Sequence, residues 1–91
     1  MIATAQLVER IIKEQELVIG PLALREARKV KGLTVKTDGG VKLTGSNKKV
    51  LGDLVKQYEK LFGPASLDVC REAVKALLPQ VAKEDVPDIL K

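Results

Sequence analysis

The sequence predicts a single, mainly helical α+β domain over residues 1–91, with the element order α-α-β-β-α-α. Two observations predict the helices: apolar residues recur at helical spacing in four segments, and two Gly-Pro pairs divide these segments into two consecutive pairs. A third observation predicts the strands, since an alternating run with Asp-Gly-Gly at its centre separates the pairs. A chain of 91 residues, 45% of them hydrophobic, has enough apolar surface for one small core.

The first pair of helices is expected within residues 4–31. The first helix spans about 4–19, and its apolar stripe consists of Leu7, Val8, Ile11, Ile12, Val18 and Ile19. Gly20-Pro21 ends it, because proline lacks the amide that a helix interior needs but fits the first turn of a new helix. The second helix is expected over about 21–31. The residues that it turns toward the core are Leu24, Ala27 and Val30.

A β-hairpin is expected over residues 33–44, where β-branched and apolar residues alternate with polar ones. Pairing Val35 with Val41 and Leu33 with Leu43 places all four on one face and leaves Thr37-Asp38-Gly39 as a three-residue loop. Such a loop needs a positive φ at its last residue, which glycine supplies. A two-stranded ribbon is marginal in water, so its apolar face must pack on the helices or pair with another chain.

The second pair of helices is expected within residues 46–82. The third helix begins after Ser46 or Asn47, either of which can cap it. Its apolar stripe consists of Val50, Leu51, Leu54, Val55, Tyr58, Leu61 and Phe62. Gly63-Pro64 ends it, and a fourth helix follows from Pro64 to about residue 78. Pro79 kinks or ends this fourth helix. The buried set of this helix includes Cys70, interpreted as a small buried hydrophobe. The tail, 83–90, can form one last short helical turn.

The two halves align with each other when the chain is shifted by 43 positions. The shift matches the two Gly-Pro pairs and the apolar stripes. The other identical pairs are Lys13/Lys56, Glu16/Glu59, Leu24/Leu67 and Arg28/Arg71. We interpret this match as an internal duplication of a helix–Gly-Pro–helix unit. The alternative is that two helical hairpins carry the same stop-and-start dipeptide by chance.

The composition argues against most catalytic chemistry. The chain has no histidine and one cysteine, so neither a Ser–His nor a Cys–His pair is available within it, and the usual ligands of zinc are missing. No phosphate-binding glycine motif occurs. We therefore expect a protein that is not an enzyme and has no cofactor, metal or small-molecule ligand. The sequence also lacks a membrane-spanning run, a signal peptide and a possible internal disulfide, which favours a cytoplasmic protein.

Positive charge is concentrated in the middle of the chain. Residues 25–60 hold ten basic side chains against four acidic ones, while the net charge of the whole chain is +4. A candidate basic surface is formed by Arg25, Arg28, Lys29, Lys36, Lys42, Lys48 and Lys49. One interpretation is binding of nucleic acid or anionic lipid, and the other is a solubilising surface with lysines that protect strand edges. The only aromatic residues, Tyr58 and Phe62, lie on an apolar helical stripe rather than on a base-stacking surface.

The segment around the first Gly-Pro pair, Glu16-Leu17-Val18-Ile19-Gly20-Pro21-Leu22-Ala23, has the form hydrophobic-Gly-Pro-x-Ala. It resembles helical modules of prokaryotic signalling proteins that are associated with roadblock or response-regulator domains. The resemblance implies a regulatory or scaffolding function and transfers no catalytic residues. The hairpin between the two halves departs from that pattern.

These observations together predict a non-enzymatic protein-interaction or regulatory module of a prokaryotic cytoplasmic system. Its partner is expected to be another protein or a second copy in a homodimer, bound at an apolar helical groove or at the hairpin edge. The alternative function is that of a nucleic-acid-associated protein that uses the basic segment 25–60.

Overall fold

The computed structural model describes all residues, 1–91, and has the mainly helical α+β architecture that the sequence predicts. The order of the main elements is α-α-β-β-α-α, followed by three short 3₁₀ turns. The main elements are α1 (Thr4–Ile19), α2 (Leu22–Ala27), β1 (Leu33–Val35), β2 (Val41–Leu43), α3 (Asn47–Phe62) and α4 (Pro64–Val74).

The two Gly-Pro bends have the same local geometry. Gly20 has φ +65° and donates its N–H to the carbonyl of Glu16 at 2.9 Å, while Gly63 has φ +81° and donates to Glu59 at 2.8 Å. In each bend the glycine carbonyl then accepts the N–H of the third residue after it, at 3.1 and 3.0 Å. Positive φ is accessible to glycine at little cost, so each bend ends one helix and starts the next within two residues.

The four helices pack in cyclic order, because α1 contacts α2 and α4, and α3 contacts the same two helices from the opposite side. Gln15 near the end of α1 hydrogen-bonds Ser66 at the start of α4, and Tyr58 near the end of α3 hydrogen-bonds Ala23 at the start of α2. Both bends therefore lie at one end of the bundle, called the bend end below. The core between the helices consists mainly of the predicted stripes, with Leu7, Ile11, Leu51, Leu54, Tyr58 and Cys70 fully buried.

The hairpin has the predicted register and loop. Leu33 pairs with Leu43 and Val35 with Val41. Lys36 closes a three-residue loop by donating its N–H to Gly40 at 2.7 Å, and the last loop residue, Gly39, has φ +92°. The apolar face packs on α1 and α2, which covers it within the same chain.

Two helix ends differ from the sequence prediction. Helix α2 ends at Ala27 rather than near Lys31, because the amides of Lys29 and Val30 bond carbonyls three residues back, in tight turns that lead into the hairpin. Helix α4 ends at Val74 rather than near Leu78, because Pro79 has no amide to continue the helix and its ring would clash with the carbonyl four residues before it. The chain continues there as a 3₁₀ turn at Leu78–Gln80. The tail forms two such turns, where one was expected.

The prediction that Val18 and Leu61 are core residues is wrong. Their exposed fractions are 63% and 48%, and the neighbouring Leu17 is 78% exposed. The stripe of each helix continues into its last turn, but no other element covers that turn at the bend end. Conversely, Gln15 and Glu26 are buried although their polarity suggests a solvated face.

Candidate interaction surfaces

Two buried hydrogen bonds join the halves at equivalent positions. Tyr58 on α3 donates its hydroxyl to the carbonyl of Ala23 on α2 at 2.7 Å, and Gln15 on α1 donates Nε2 to the carbonyl of Ser66 on α4 at 3.0 Å. The 43-residue shift aligns the donor Gln15 with the donor Tyr58, and the acceptor Ala23 with the acceptor Ser66. The two helix–Gly-Pro–helix units are therefore related by an approximate twofold axis that runs along the bundle through the bend end.

A small buried polar cluster surrounds Gln15. Its Nε2 also lies 2.9 Å from Oγ of Ser66 and 3.3 Å from Sγ of Cys70, while its Oε1 has no hydrogen-bond partner. Burial raises the pKa of the Cys70 thiol to about 11 and raises the pKa of Tyr58 above its ordinary range. A buried, protonated thiol is a poor nucleophile, so this cluster belongs to the core packing.

The burial of Cys70 gives a direct chemical prediction. At pH 8 its reaction with an aromatic disulfide reagent is expected to be at least about a hundredfold slower in the native protein than in the same protein unfolded by guanidinium, since both thiolate fraction and access are reduced. The absorbance of the released thiolate measures both rates. Comparable rates would mean that α4 opens readily from the bundle.

The structure divides the seven residues of the predicted basic surface among four places. Arg28 and Lys36 line a cleft between α1, α2 and the hairpin loop, and Lys48 and Lys49 line another where α3 begins beside the tail. Arg25 and Lys29 flank Glu26 on α2, while Lys42 lies on the outer face of the hairpin opposite Thr34. All seven are exposed.

Nearby carboxylates neutralise part of this positive charge. The side chain of Glu26 is almost fully buried and lies 3.1 Å from Lys29 Nζ and 3.8 Å from Arg25 Nε. The hydrogen bond from Gln57 Nε2, at 2.9 Å, and the contact with Lys29 lower the pKa of Glu26. Lys49 is paired with Asp53 at 2.9 Å on α3.

Three exposed apolar residues, Leu17, Val18 and Leu61, lie in the last turns of α1 and α3 and are called the patch residues below. They are the most exposed large apolar residues apart from Met1. Val18 and Leu61 are equivalent under the 43-residue shift, so each half exposes one of this pair. Sequence reasoning missed this surface because the helical period assigned both residues to the core.

A groove between α1 and α4, the α1–α4 groove, includes one of the patch residues, Val18. Its apolar lining residues are Val18, Val69 and Ala73. Its charged lining residues are Arg10, Glu14, Asp68 and Glu72, which place three carboxylates against one guanidinium. An apolar floor with an acidic rim suits a partner that presents apolar and basic side chains together.

The opposite side of the bundle, the α2–α3 face, is the twofold equivalent of that groove but has a different shape. Glu26 stands at the position of Val69, and Gln57 stands at that of Glu14. Their hydrogen bond joins the two helices and fills the equivalent space. Arg25, Lys29 and Leu61 remain exposed on this face.

Comparisons with known proteins identify no relative. No family model, no curated protein and no solved structure matches this chain. Within the chain itself, no helix is long and apolar enough to cross a membrane, and no group of three or more cysteine and carboxylate side chains converges on a point.

Proposed function

We propose that this protein is a non-enzymatic interaction module, with a regulatory or scaffolding function, that binds a protein partner through the bend end and the α1–α4 groove. The observation that carries this proposal is the exposure of Leu17, Val18 and Leu61 in a chain that buries its other large apolar residues at least partly, apart from Met1. Exposed large apolar side chains with charged neighbours are typical of protein-binding surfaces.

The energetics favour a surface of this kind. Transfer of one exposed valine or leucine side chain out of water contributes about 1.5 to 3 kcal/mol when burial is complete. Two of the three patch residues are more than half exposed, so a partner gains most of that free energy from them. The carboxylates along the groove add orientation rather than affinity, since exposed ion pairs contribute about 1 kcal/mol or less each.

We place the module in a prokaryotic cytoplasmic signalling system. The single cysteine is reduced and buried, as suits a reducing compartment, and the Gly20-Pro21 segment resembles helical modules of such systems. The polar groups that come closest to chemistry, Gln15, Ser66 and Cys70, are enclosed in the core, which supports binding without catalysis.

Nucleic-acid binding is the second candidate function. Arg28 and Lys36 share their cleft with Lys13, which favours it. Carboxylates of Glu9, Glu16 and Asp38 line the same cleft, and they oppose a phosphate backbone there. Binding at this cleft is expected to weaken steeply between about 50 and 200 mM salt because it depends on counterion release.

The proposed function is tested by capturing partners from a lysate of the source organism with three forms of the tagged protein, with quantitative mass spectrometry as the readout. Wild type is compared with Val18→Glu and with Thr34→Glu, a matched control on the outer face of the hairpin. We expect the proteins enriched by wild type to fall at least about tenfold with Val18→Glu and to stay with Thr34→Glu.

A fourth form, with Lys36, Lys42, Lys48 and Lys49 changed to glutamine, separates the two candidates. The interaction function predicts that this form retains the same protein partners. The opposite result would be that Val18→Glu retains all captured partners while the glutamine form no longer captures nucleic acid that nuclease treatment removes. In that case the nucleic-acid function replaces the proposed one.

A further inference from the structure

The two sides of the bundle that the approximate twofold axis exchanges carry opposite charges at equivalent positions. Arg25 on α2 corresponds to Asp68 on α4, and Lys29 corresponds to Glu72. Arg10 on α1 corresponds to Asp53 on α3. On the α1–α4 groove and the α2–α3 face, every equivalent pair in which both residues are charged therefore has reversed sign.

The other equivalent charged pairs keep their sign. They are Lys13/Lys56, Glu16/Glu59 and Arg28/Arg71. Lys13, Glu16 and Arg28 line the cleft toward the hairpin, while Lys56 lines the cleft toward the tail and Arg71 contacts the carbonyl of Ile89 in the tail. The reversed pairs Arg25/Asp68 and Lys29/Glu72 lie outside these clefts, whereas Asp53 also lines the clefts beside the hairpin base and the tail.

The two sides also differ in shape in a complementary way. The α1–α4 groove is recessed over Val69 and Ala73, whereas the hydrogen bond between Gln57 and Glu26 fills the equivalent space on the α2–α3 face. The filled face includes Leu61, which is 48% exposed and equivalent to Val18 of the groove, and Arg25 and Lys29 on the neighbouring helix. A face with apolar and basic side chains matches an apolar groove lined by carboxylates.

We propose that this protein associates with itself head to tail, with the α2–α3 face of one copy seated in the α1–α4 groove of the next. This proposal rests on the proposed function and names a second copy of the chain as the partner. Because the two surfaces lie on opposite sides of the bundle, one contact leaves a free groove on one copy and a free face on the other. The association is therefore open-ended or closes into a ring, in contrast to a homodimer with one self-complementary patch.

Two charge-reversed variants test the head-to-tail arrangement. The groove variant is Asp68→Lys with Glu72→Lys, and the face variant is Arg25→Glu with Lys29→Glu. Sedimentation velocity from micromolar to millimolar concentration is expected to show growing mass for wild type and monomers for each variant alone. Each reversal is expected to weaken self-association at least about tenfold, because like charges then face each other.

An equimolar mixture of the two variants is expected to recover growing mass, although neither variant grows alone. The intact face of the groove variant binds the intact groove of the face variant, and the reversed face places glutamates opposite the lysines of the reversed groove. Association of wild type is also expected to weaken as NaCl rises from about 50 to about 500 mM, since the contact includes exposed charges. Because Arg25 and Lys29 also contact Glu26, Leu61→Glu serves as a second face variant that leaves those ion pairs intact.

A wild type that stays monomeric at millimolar concentration overturns the proposal, as does a mixture that fails to pair. A groove variant that is monomeric while the face variants still dimerise also overturns it, since that result indicates a self-complementary groove contact. In all these cases the proposed function is decided by the capture experiment alone. It stands if Val18→Glu loses the captured partners, and it fails if Val18→Glu retains them.

Discussion

Replacing Tyr58 by alanine is expected to lower the free energy of unfolding by about 4 kcal/mol, because deletion of a fully buried aromatic ring removes its transfer free energy and leaves a cavity. Tyr58 is the largest fully buried side chain and joins α3 to α2. Equilibrium unfolding in urea at 25 °C, followed by far-UV circular dichroism, measures the change.

Tyr58→Phe separates the ring from the hydroxyl. It is expected to cost about 1 kcal/mol, since only the hydrogen bond to the Ala23 carbonyl is lost. This milder variant also gives a measurable transition if the alanine variant is too unstable. Equal losses for the two variants would contradict the packing argument and assign the contribution of Tyr58 to its hydroxyl.

The equivalent residue in the other half, Gln15, is expected to respond differently. Gln15→Met keeps a side chain of similar size and is expected to change stability by less than about 1 kcal/mol, because losing the Nε2 hydrogen bonds is offset by removing the unpaired Oε1 from the core. Truncation to alanine is expected to cost about 2 kcal/mol or more. At these two equivalent positions, stability therefore depends on an aromatic ring and its hydrogen bond in the case of Tyr58, and on side-chain volume in the case of Gln15.

Local signals explain why α1, α3 and the hairpin could be predicted from the sequence. Glycine helix stops and helix caps act within a few residues. As one example, Ser46 caps α3 by accepting the amide of Lys49 at 3.2 Å. Period-two alternation fixes the pairing of Val35 with Val41, since a slip by one residue exposes the apolar face. These features depend on neighbours that are visible in the printed sequence.

Burial at particular positions could not be predicted, because it depends on contacts distant in the chain. Glu26 is buried because Gln57, 31 residues away, donates to it, whereas helical periodicity marks Glu26 as solvated. Val18 lies on the apolar stripe yet is exposed, because stripe membership does not show where the covering elements end.

The candidate surfaces were harder to predict than the fold for the same reason. The seven basic residues are neighbours in the sequence but are distributed over α2 and the turn after it, the hairpin and the first turn of α3. The α1–α4 groove joins residues about fifty positions apart and becomes visible only when the helices are paired. One signal was present in the alignment of the halves: the sign reversals of Arg25/Asp68 and Lys29/Glu72.

Replacing Gly32 by alanine is expected to lower the free energy of unfolding by about 3 kcal/mol, from strain in the left-handed region and from overlap with neighbouring atoms. Gly32 has φ +86°, and an added Cβ lies 2.7 Å from the carbonyl oxygen of Thr44 and 2.9 Å from Cγ2 of Val50. Thr44 also donates its N–H to the Gly32 carbonyl at 2.7 Å, so the base of the hairpin has no room to shift.

Gly45→Ala provides the matched control for this prediction. Gly45 has φ +90° and lies at the same end of the hairpin, but an added Cβ meets no atom within 4 Å. Its replacement carries only the backbone penalty, about 1 to 2 kcal/mol. Urea unfolding of the two variants therefore measures the overlap as the difference between them. Equal losses would mean that the hairpin base relaxes away from the added methyl group, and that its position is set by packing of the apolar strand face on α1 and α2 rather than by the close approach of Gly32 to Val50 on α3.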